Sequence, residues 1–150
     1  MRSTEVAVGR RFFVVLEPGD DVVAAIAEAC VVHGVRQAVV PVFLGAFSSV
    51  TLIGTRDPVA DPDIPMPEKT TVEWSEGIGT ATVIPDESGV PVVHLHIAIG
   101  DKRDAALGYS GHVLAAETHY TVELLIEELT EAELVRRPDA ASHGLTTVRF

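Results

Sequence analysis

The chain has 150 residues, of which 22 are acidic and 11 are basic, so its formal net charge at pH 7 is −11. A surface with this negative field repels nucleic-acid backbones and anionic lipids, which argues against both as partners. Aromatic residues make up only 5% of a chain that is 47% hydrophobic, so aliphatic side chains, many of them β-branched, must fill the core and favour a sheet.

The length predicts a single domain spanning residues 1–150. Cys30 is the only cysteine, which excludes an intrachain disulfide and fits a reducing compartment. The N-terminal residues lack the charged-then-apolar pattern of a signal peptide, and no apolar run reaches the ~18 residues that a membrane span requires. We therefore expect a cytoplasmic protein without a membrane segment.

The first predicted elements are a strand and a helix. Residues 11–16, Arg-Phe-Phe-Val-Val-Leu, form the strand, and a Pro-Gly turn ends it. One main helix is expected at about residues 21–33, where apolar side chains recur at helical spacing. Either Asp20 or Asp21 can cap its N-terminus, and Gly34 supplies a left-handed stop.

Further strands follow along the chain. We predict them at residues 35–43, 50–53, 71–75, 79–84, 92–100 and from about 112 or 113 to 127. Gly45-Ala46 is expected to break the sheet between the first two, and residues 76–78 to join the next pair. The last strand exceeds the usual length, so it should be bent or bulged.

Two segments look irregular. Residues 55–70 contain four prolines among aspartates, from Pro58 to Pro67, and predict a surface loop or a partner-facing arm because proline cannot join a central strand. Residues 130–150 are expected to form a tail, whose end at 147–150 either adds a short strand or remains loose.

One helix against many strands, without regular alternation of the two, predicts an α+β domain with a mostly antiparallel sheet. A sheet has two faces, and one helix cannot cover both. We therefore expect the second face to be buried by other copies of the chain.

The histidines between residues 92 and 112 predict a metal site. His94 and His96 are two residues apart in an apolar strand, so they share a face, with their Cα atoms about 6.7 Å apart. If residues 101–109 return the chain as a hairpin, His112 begins the neighbouring strand within reach of the same point. Three imidazole nitrogens could then bind one ion at ~2.0 to 2.1 Å each.

Imidazole ligands favour zinc as the first choice, with nickel, copper or ferrous iron as alternatives, whereas calcium and magnesium require oxygen ligands. Three histidines without a cysteine leave the fourth position of a tetrahedral ion open to water or a substrate atom. This position permits chemistry without indicating a reaction, so whether the protein is an enzyme stays undecided. The alternative is that the three histidines are ordinary polar residues of a solvated strand face and a turn.

The other candidate residues carry a weaker signal. His33 suits a helix C-terminus, where the dipole favours it, His119 alternates with acidic residues on a polar face, and His143 lies in the polar tail. Glu117 is the carboxylate to consider first as a partner of a ligand or as a base, although a solvated strand residue is the simpler interpretation.

Several segments together resemble the plant-and-prokaryote-conserved (PPC) domain, which occurs alone in bacteria and archaea and beside AT-hooks in plant nuclear proteins. The resemblance covers a core of about residues 10–129. It is carried by these segments: Glu17–Val23, Leu44-Gly45-Ala46, Val93–His96, Gly111-His112 and Val122–Leu129. The pairing of His-x-His with a downstream Gly-His is its most specific part, and it carries the family's histidine site onto His94, His96 and His112.

The resemblance implies an α+β fold with an antiparallel sheet and one main helix, a homotrimer, and zinc at the histidines near the subunit interfaces. Two features depart from the family pattern. Tyr109-Ser110-Gly111-His112 stands where relatives often have Gly-Gly-His, and the proline-rich stretch looks like a local elaboration.

Three functions compete on this sequence. The first is a metal-binding homotrimer whose three-histidine site accepts a small-molecule ligand. The second is a structural or protein-interaction module that presents its loops to another protein. The third is DNA binding, a provisional label that family members often carry, but the chain has no Arg-Gly-Arg core and no basic stripe.

Overall fold

The computed structural model describes residues 1–54, 68–142 and 144–150. Seven strands, one α-helix and a short 3-10 helix at Ala140–Ser142 make up the regular structure of these residues. Their bounds are β1 Val8–Leu16, α1 Val22–Val32, β2 Ala38–Gly54, β3 Glu68–Pro85, β4 Pro91–Asp101, β5 Leu107–Leu129, β6 Val135–Pro138 and β7 Thr146–Arg149.

The main sheet has five strands in the order β1-β5-β2-β3-β4. All its pairings are antiparallel, which confirms the predicted α+β class. β4 also pairs with the start of β5, so four of the strands form a closed ring. β5 can serve three neighbours because it is 23 residues long, and its register with β2 shifts at four places, as the predicted bend or bulge requires.

The helix forms where the sequence places it. The side chain of Asp21 accepts a hydrogen bond from the Ala24 backbone N–H, while the Asp20 carboxylate accepts one from the Glu17 N–H. Asp21 is therefore the cap, and Gly34, with φ of +64°, ends the segment. Among the described residues no helix is both long and apolar enough to cross a membrane.

The buried face of α1 packs against β1, β4 and β5. Its residues Val22, Ile26 and Cys30 are completely buried. Desolvation raises the pKa of the Cys30 thiol to about 11, so this cysteine is a neutral core residue rather than a reactive thiol.

Four sequence predictions about the strands were wrong. β2 and β3 are continuous, because their antiparallel pairing runs without interruption through Gly45-Ala46 and residues 76–78. Glu68 already belongs to β3, which pairs with the end of β2, so the predicted loop ends earlier than residue 70. β5 begins at Leu107, and His112 lies inside it. The rest of the proline-rich loop, residues 55–67, lies outside the described residues.

The predicted tail contains a small hairpin. β6 and β7 pair antiparallel. β7 is the short final strand that the sequence left open at residues 147–150. β6, which the sequence did not predict, touches the end of β3 through an isolated bridge between Asp86 and Arg136. This contact brings the chain after residue 130 back to the main sheet.

The face of the sheet away from α1 carries an apolar patch of exposed side chains. We call this the outer patch, and its residues are Phe13, Val15, Val42, Leu44 and Ile78, which are between 42% and 65% exposed. The register connects them, since Leu44 lies opposite Ile78 and both Phe13 and Val42 lie opposite Leu125. Within residues 1–54, 68–142 and 144–150, the single helix thus leaves this face uncovered in one chain.

Candidate metal centre

The alternation of β4 positions the first two histidines. Leu95, Ile97 and Ile99 are buried at 3% exposure or less, so these side chains fix which face of the strand meets the core. His94 and His96 consequently point to the outer face.

The third histidine reaches the same place through strand pairing. The turn after Asp101 returns the chain as β5, as predicted, and His112 lies directly opposite His96 in the β4–β5 register. Directly opposed residues of an antiparallel pair have Cβ atoms about 4.5 to 5.5 Å apart. The hairpin therefore brings histidines that are 16 residues apart in sequence, at positions 96 and 112, side by side.

The three rings form a compact cluster. Their centroids are 4.9 to 5.3 Å apart, and one ligand nitrogen from each lies within 4.8 Å of the others. The Nε2 atoms of His94 and His96 are 3.1 Å apart. Two nitrogens bound to one tetrahedral zinc would be about 3.3 Å apart, so this spacing fits a shared ion with little movement.

Arg136 of β6 adjoins the cluster. Its Nη2 donates to Thr82 Oγ1 at 2.8 Å and lies 3.0 Å from His94 Nδ1. Thr82 is the direct β3 partner of His94, so the guanidinium contacts one residue of each strand and bridges β3 and β4 at this point. The residue is only 6% exposed.

This contact determines the tautomer of His94. A guanidinium can only donate hydrogen bonds, so His94 Nδ1 accepts from Arg136 and the proton of the neutral ring sits on Nε2. That proton then points to His96 Nε2. For Nε2 of His94 to bind an ion, the proton on Nε2 must leave. If this proton moves to Nδ1 of the same ring, the Arg136 N–H that donates to Nδ1 must turn away.

The surroundings favour the uncharged forms of His94 and His112. Desolvation is the main cause that lowers the pKa of His94 to about 4, and the positive charges of Arg136, His112 and His96 add to it. Desolvation, followed by His96 and Arg136, also lowers the pKa of His112. Metal ions bind the deprotonated form of imidazole, so these two rings are ready for a ligand role at neutral pH.

An open depression lies beside His96 on the outer face. It has a volume of about 410 Å³. Its wall combines apolar side chains with two hydroxyl groups and two glycines, from Ile78, Gly79, Thr80, His96, Ile97, Ala98, Ser110 and Gly111. A small molecule bound at the histidines has room here for the rest of its body.

The remaining candidates lie elsewhere. Glu117 is five residues beyond His112 along β5 and accepts a hydrogen bond from Ser48 Oγ at 2.7 Å, so it does not join the cluster. His33 stacks on Phe12 with ring centroids 4.1 Å apart. His119 packs between Trp74 and Tyr120. His143 lies outside the described residues.

Arg136 is the residue of this site that the sequence analysis missed. It is one of a basic pair in a segment predicted as a tail, and nothing local indicates that this segment folds back onto β3. The alternating pattern of β6 is too short to predict a strand.

A family model for the Plants and Prokaryotes Conserved (PCC) domain matches residues 3–130. The chain belongs to this family. It is the family whose resemblance the sequence analysis identified, and the PCC match ends before the β6–β7 hairpin. No curated protein matches the chain.

Solved structures share the fold over nearly the full length. A PPC protein from Pyrococcus horikoshii has a TM-score of 0.81 at 18% identity, with 100% of this chain and 98% of that one covered. A protein from Archaeoglobus fulgidus, described as metal-containing, has a TM-score of 0.77 at 25% identity, with 98% of each chain covered. A protein from Bacteroides thetaiotaomicron, provisionally described as DNA-binding, has a TM-score of 0.78 at 19% identity, with 97% of each covered.

Proposed function

We propose that this PCC protein binds one transition-metal ion per chain, zinc by preference, through His94, His96 and His112. A small-molecule ligand takes the remaining coordination position. The observation that carries the proposal is the convergence of three imidazole rings on one point.

Two further observations support a metal. The donor set is three nitrogens without an oxygen ligand, which favours zinc and its neighbours over calcium and magnesium. The Archaeoglobus fulgidus relative is described as metal-containing. When bound, such an ion supplies a Lewis acid and an open position, while this chain's own strands β4 and β5 hold the three rings in place.

Assembly is the second part of the proposal. The outer patch exposes five large apolar side chains on one face, which is typical of a surface that another chain covers. We infer that three copies associate through it, the homotrimer that the family resemblance implies. Ile78 belongs to both the outer patch and the depression, so the histidine site would lie at the edge of the interface.

A cytoplasmic setting accords with the free, buried Cys30. DNA binding is not proposed, because the net charge of −11 opposes the phosphate contacts on which such binding depends.

The test is elemental analysis of protein purified without chelating resin and then offered zinc. We expect about one zinc per chain, and less than about a tenth of that in each of His94→Ala, His96→Ala and His112→Ala, because loss of a ligand leaves two imidazoles. His119→Ala is the matched control, since it removes a histidine of the same strand outside the cluster. Full retention of zinc by the His96→Ala protein would refute the site.

A further inference from the structure

Among the residues that the structure describes, no acidic side chain forms an ion pair with Arg136. The side chain is almost fully buried, yet its only hydrogen bonds go to neutral atoms of Thr82 and His94. Its Nε has no hydrogen-bond partner at all. The next residue, Arg137, instead pairs with Glu87 at 3.2 Å. Buried guanidinium groups are normally paired with an acid, because an uncompensated buried charge is costly.

A metal ion makes this imbalance larger. The cluster found among the described residues consists of three histidines and contains no carboxylate, and neutral imidazoles leave the charge of an ion unchanged. A divalent cation beside Arg136 would bring three positive charges into one partly buried region. A negative charge from outside the chain is then strongly favoured.

We propose that the ligand of this site is a small carboxylate, and that the positive charge of Arg136 makes the site prefer an anionic ligand to a neutral one. This inference rests on the proposed metal site and names the class of its ligand. The carboxylate supplies the negative charge that the ion and the guanidinium lack. The depression beside His96 accepts a short aliphatic body against Ile78 and Ala98, within reach of the Ser110 hydroxyl.

The proposal predicts that loss of the Arg136 charge changes the affinity for the metal ion and the affinity for the carboxylate in opposite directions. A positive charge near the ion weakens binding of the bare metal and strengthens binding of an anion to the loaded protein. Replacing Arg136 with a neutral residue should therefore tighten metal binding and loosen carboxylate binding. A merely structural arginine would give a different pattern, because loss of local packing weakens both.

The experiment uses cobalt(II), whose visible absorption reports its coordination. Cobalt affinity is measured first, and the loaded protein is then titrated with propionate and with its neutral analogue propionamide at fixed ionic strength. In Arg136→Met we expect cobalt to bind about tenfold more tightly and propionate about tenfold more weakly. Propionamide should bind the two proteins alike, and Arg136→Lys should restore much of the propionate affinity. Arg137→Met is the matched control, because that side chain is 56% exposed.

The outcomes separate the two proposals. Wild-type protein that binds no cobalt refutes the metal site itself. Cobalt binding in which propionate and propionamide are equivalent refutes the anion inference alone, and this result needs no variant to fold. Cobalt and propionate affinities that fall together in Arg136→Met also overturn it, since they assign Arg136 a structural role.

Discussion

His94 couples the stability of the metal-free protein to pH. Its pKa is lowered to about 4 by desolvation and by the charges of Arg136 and the two neighbouring histidines, against about 6.5 in an unfolded chain. The unfolded state therefore binds more protons between these values, and the stability is lost as the pH falls through 6.5 towards 4.

We expect the free energy of unfolding of metal-free protein to fall by about 1 kcal/mol from pH 7 to pH 5 through this residue, after allowing for solvent screening. Urea denaturation at the two pH values measures it. His94→Gln keeps an acceptor for Arg136 but does not titrate, so it should show a smaller difference. An equal pH dependence in both proteins would contradict the assigned cause.

At the residue scale the sequence predicted that His94, His96 and His112 come together, but it did not predict which residues surround them. Period-two alternation against Leu95 and Ile97 is enough to place His94 and His96 on one face. The arginine beside them depends on a contact between segments about 50 residues apart, from Thr82 to Arg136, which no local pattern records. Glu117 is an exposed residue of β5, as the simpler interpretation of it predicted, because the strand direction carries it away from His112.

The contact between β3 and β4 depends on glycine at position 77. A Cβ added there would meet the Ala98 carbonyl oxygen and lie 2.8 Å from the Ile99 Cα, and neither backbone atom can move without displacing β4. We expect Gly77→Ala to destabilise the protein by about 2 to 4 kcal/mol. Thermal or urea denaturation measures this effect.

Gly108→Ala is the control for that prediction. Gly108 is also a strand residue, but a Cβ there has no atom within 4 Å, so the change should stay within about 0.5 kcal/mol. Similar losses in the two variants would mean that close approach of β3 and β4 is not what requires Gly77.

The helix cap offers a test of a choice that the sequence left open. The structure assigns the cap to Asp21, which accepts from the Ala24 N–H. Asp21→Ala should cost about 1 kcal/mol of stability. A larger loss in Asp20→Ala, whose carboxylate binds only the preceding turn, would contradict the assignment.

At the element scale, the sequence predicted whether a segment is a helix or a strand better than it predicted where each element begins and ends. The apolar runs and turn residues identified the helix and five strands, but Gly45 and Gly77 were misleading as break signals. They lie directly opposite each other in the β2–β3 register, where the absence of side chains lets strands approach rather than stop. Tertiary pairing thus overrides the local preference of glycine.

At the scale of the whole molecule, the outer patch determines the assembly that we propose. Leu44→Glu places a charge in the middle of the patch. We therefore expect the variant to sediment as the 16.0 kDa single chain and the wild-type protein as the proposed trimer. Sedimentation equilibrium measures the mass. Val31→Glu is the matched control, because Val31 is a 63% exposed residue of α1, away from the patch. A wild-type protein that sediments as a monomer would refute the assembly.

The sequence did predict an uncovered sheet face, since one helix cannot cover two faces of a sheet. It did not predict which residues form that face, because this depends on register between β1, β2, β3 and β5. The sequence also did not predict the closed ring of strands. The ring forms because the long strand β5 pairs with β4 at its start and with β2 along the rest of its length.

The most direct test of the central claim is X-ray absorption at the zinc edge of the zinc-loaded protein. We predict a first shell of three imidazole nitrogens at about 2.0 to 2.1 Å with one further light atom. A shell of oxygen atoms without the outer scattering of imidazole rings, or one containing sulfur, would contradict the three-histidine metal site.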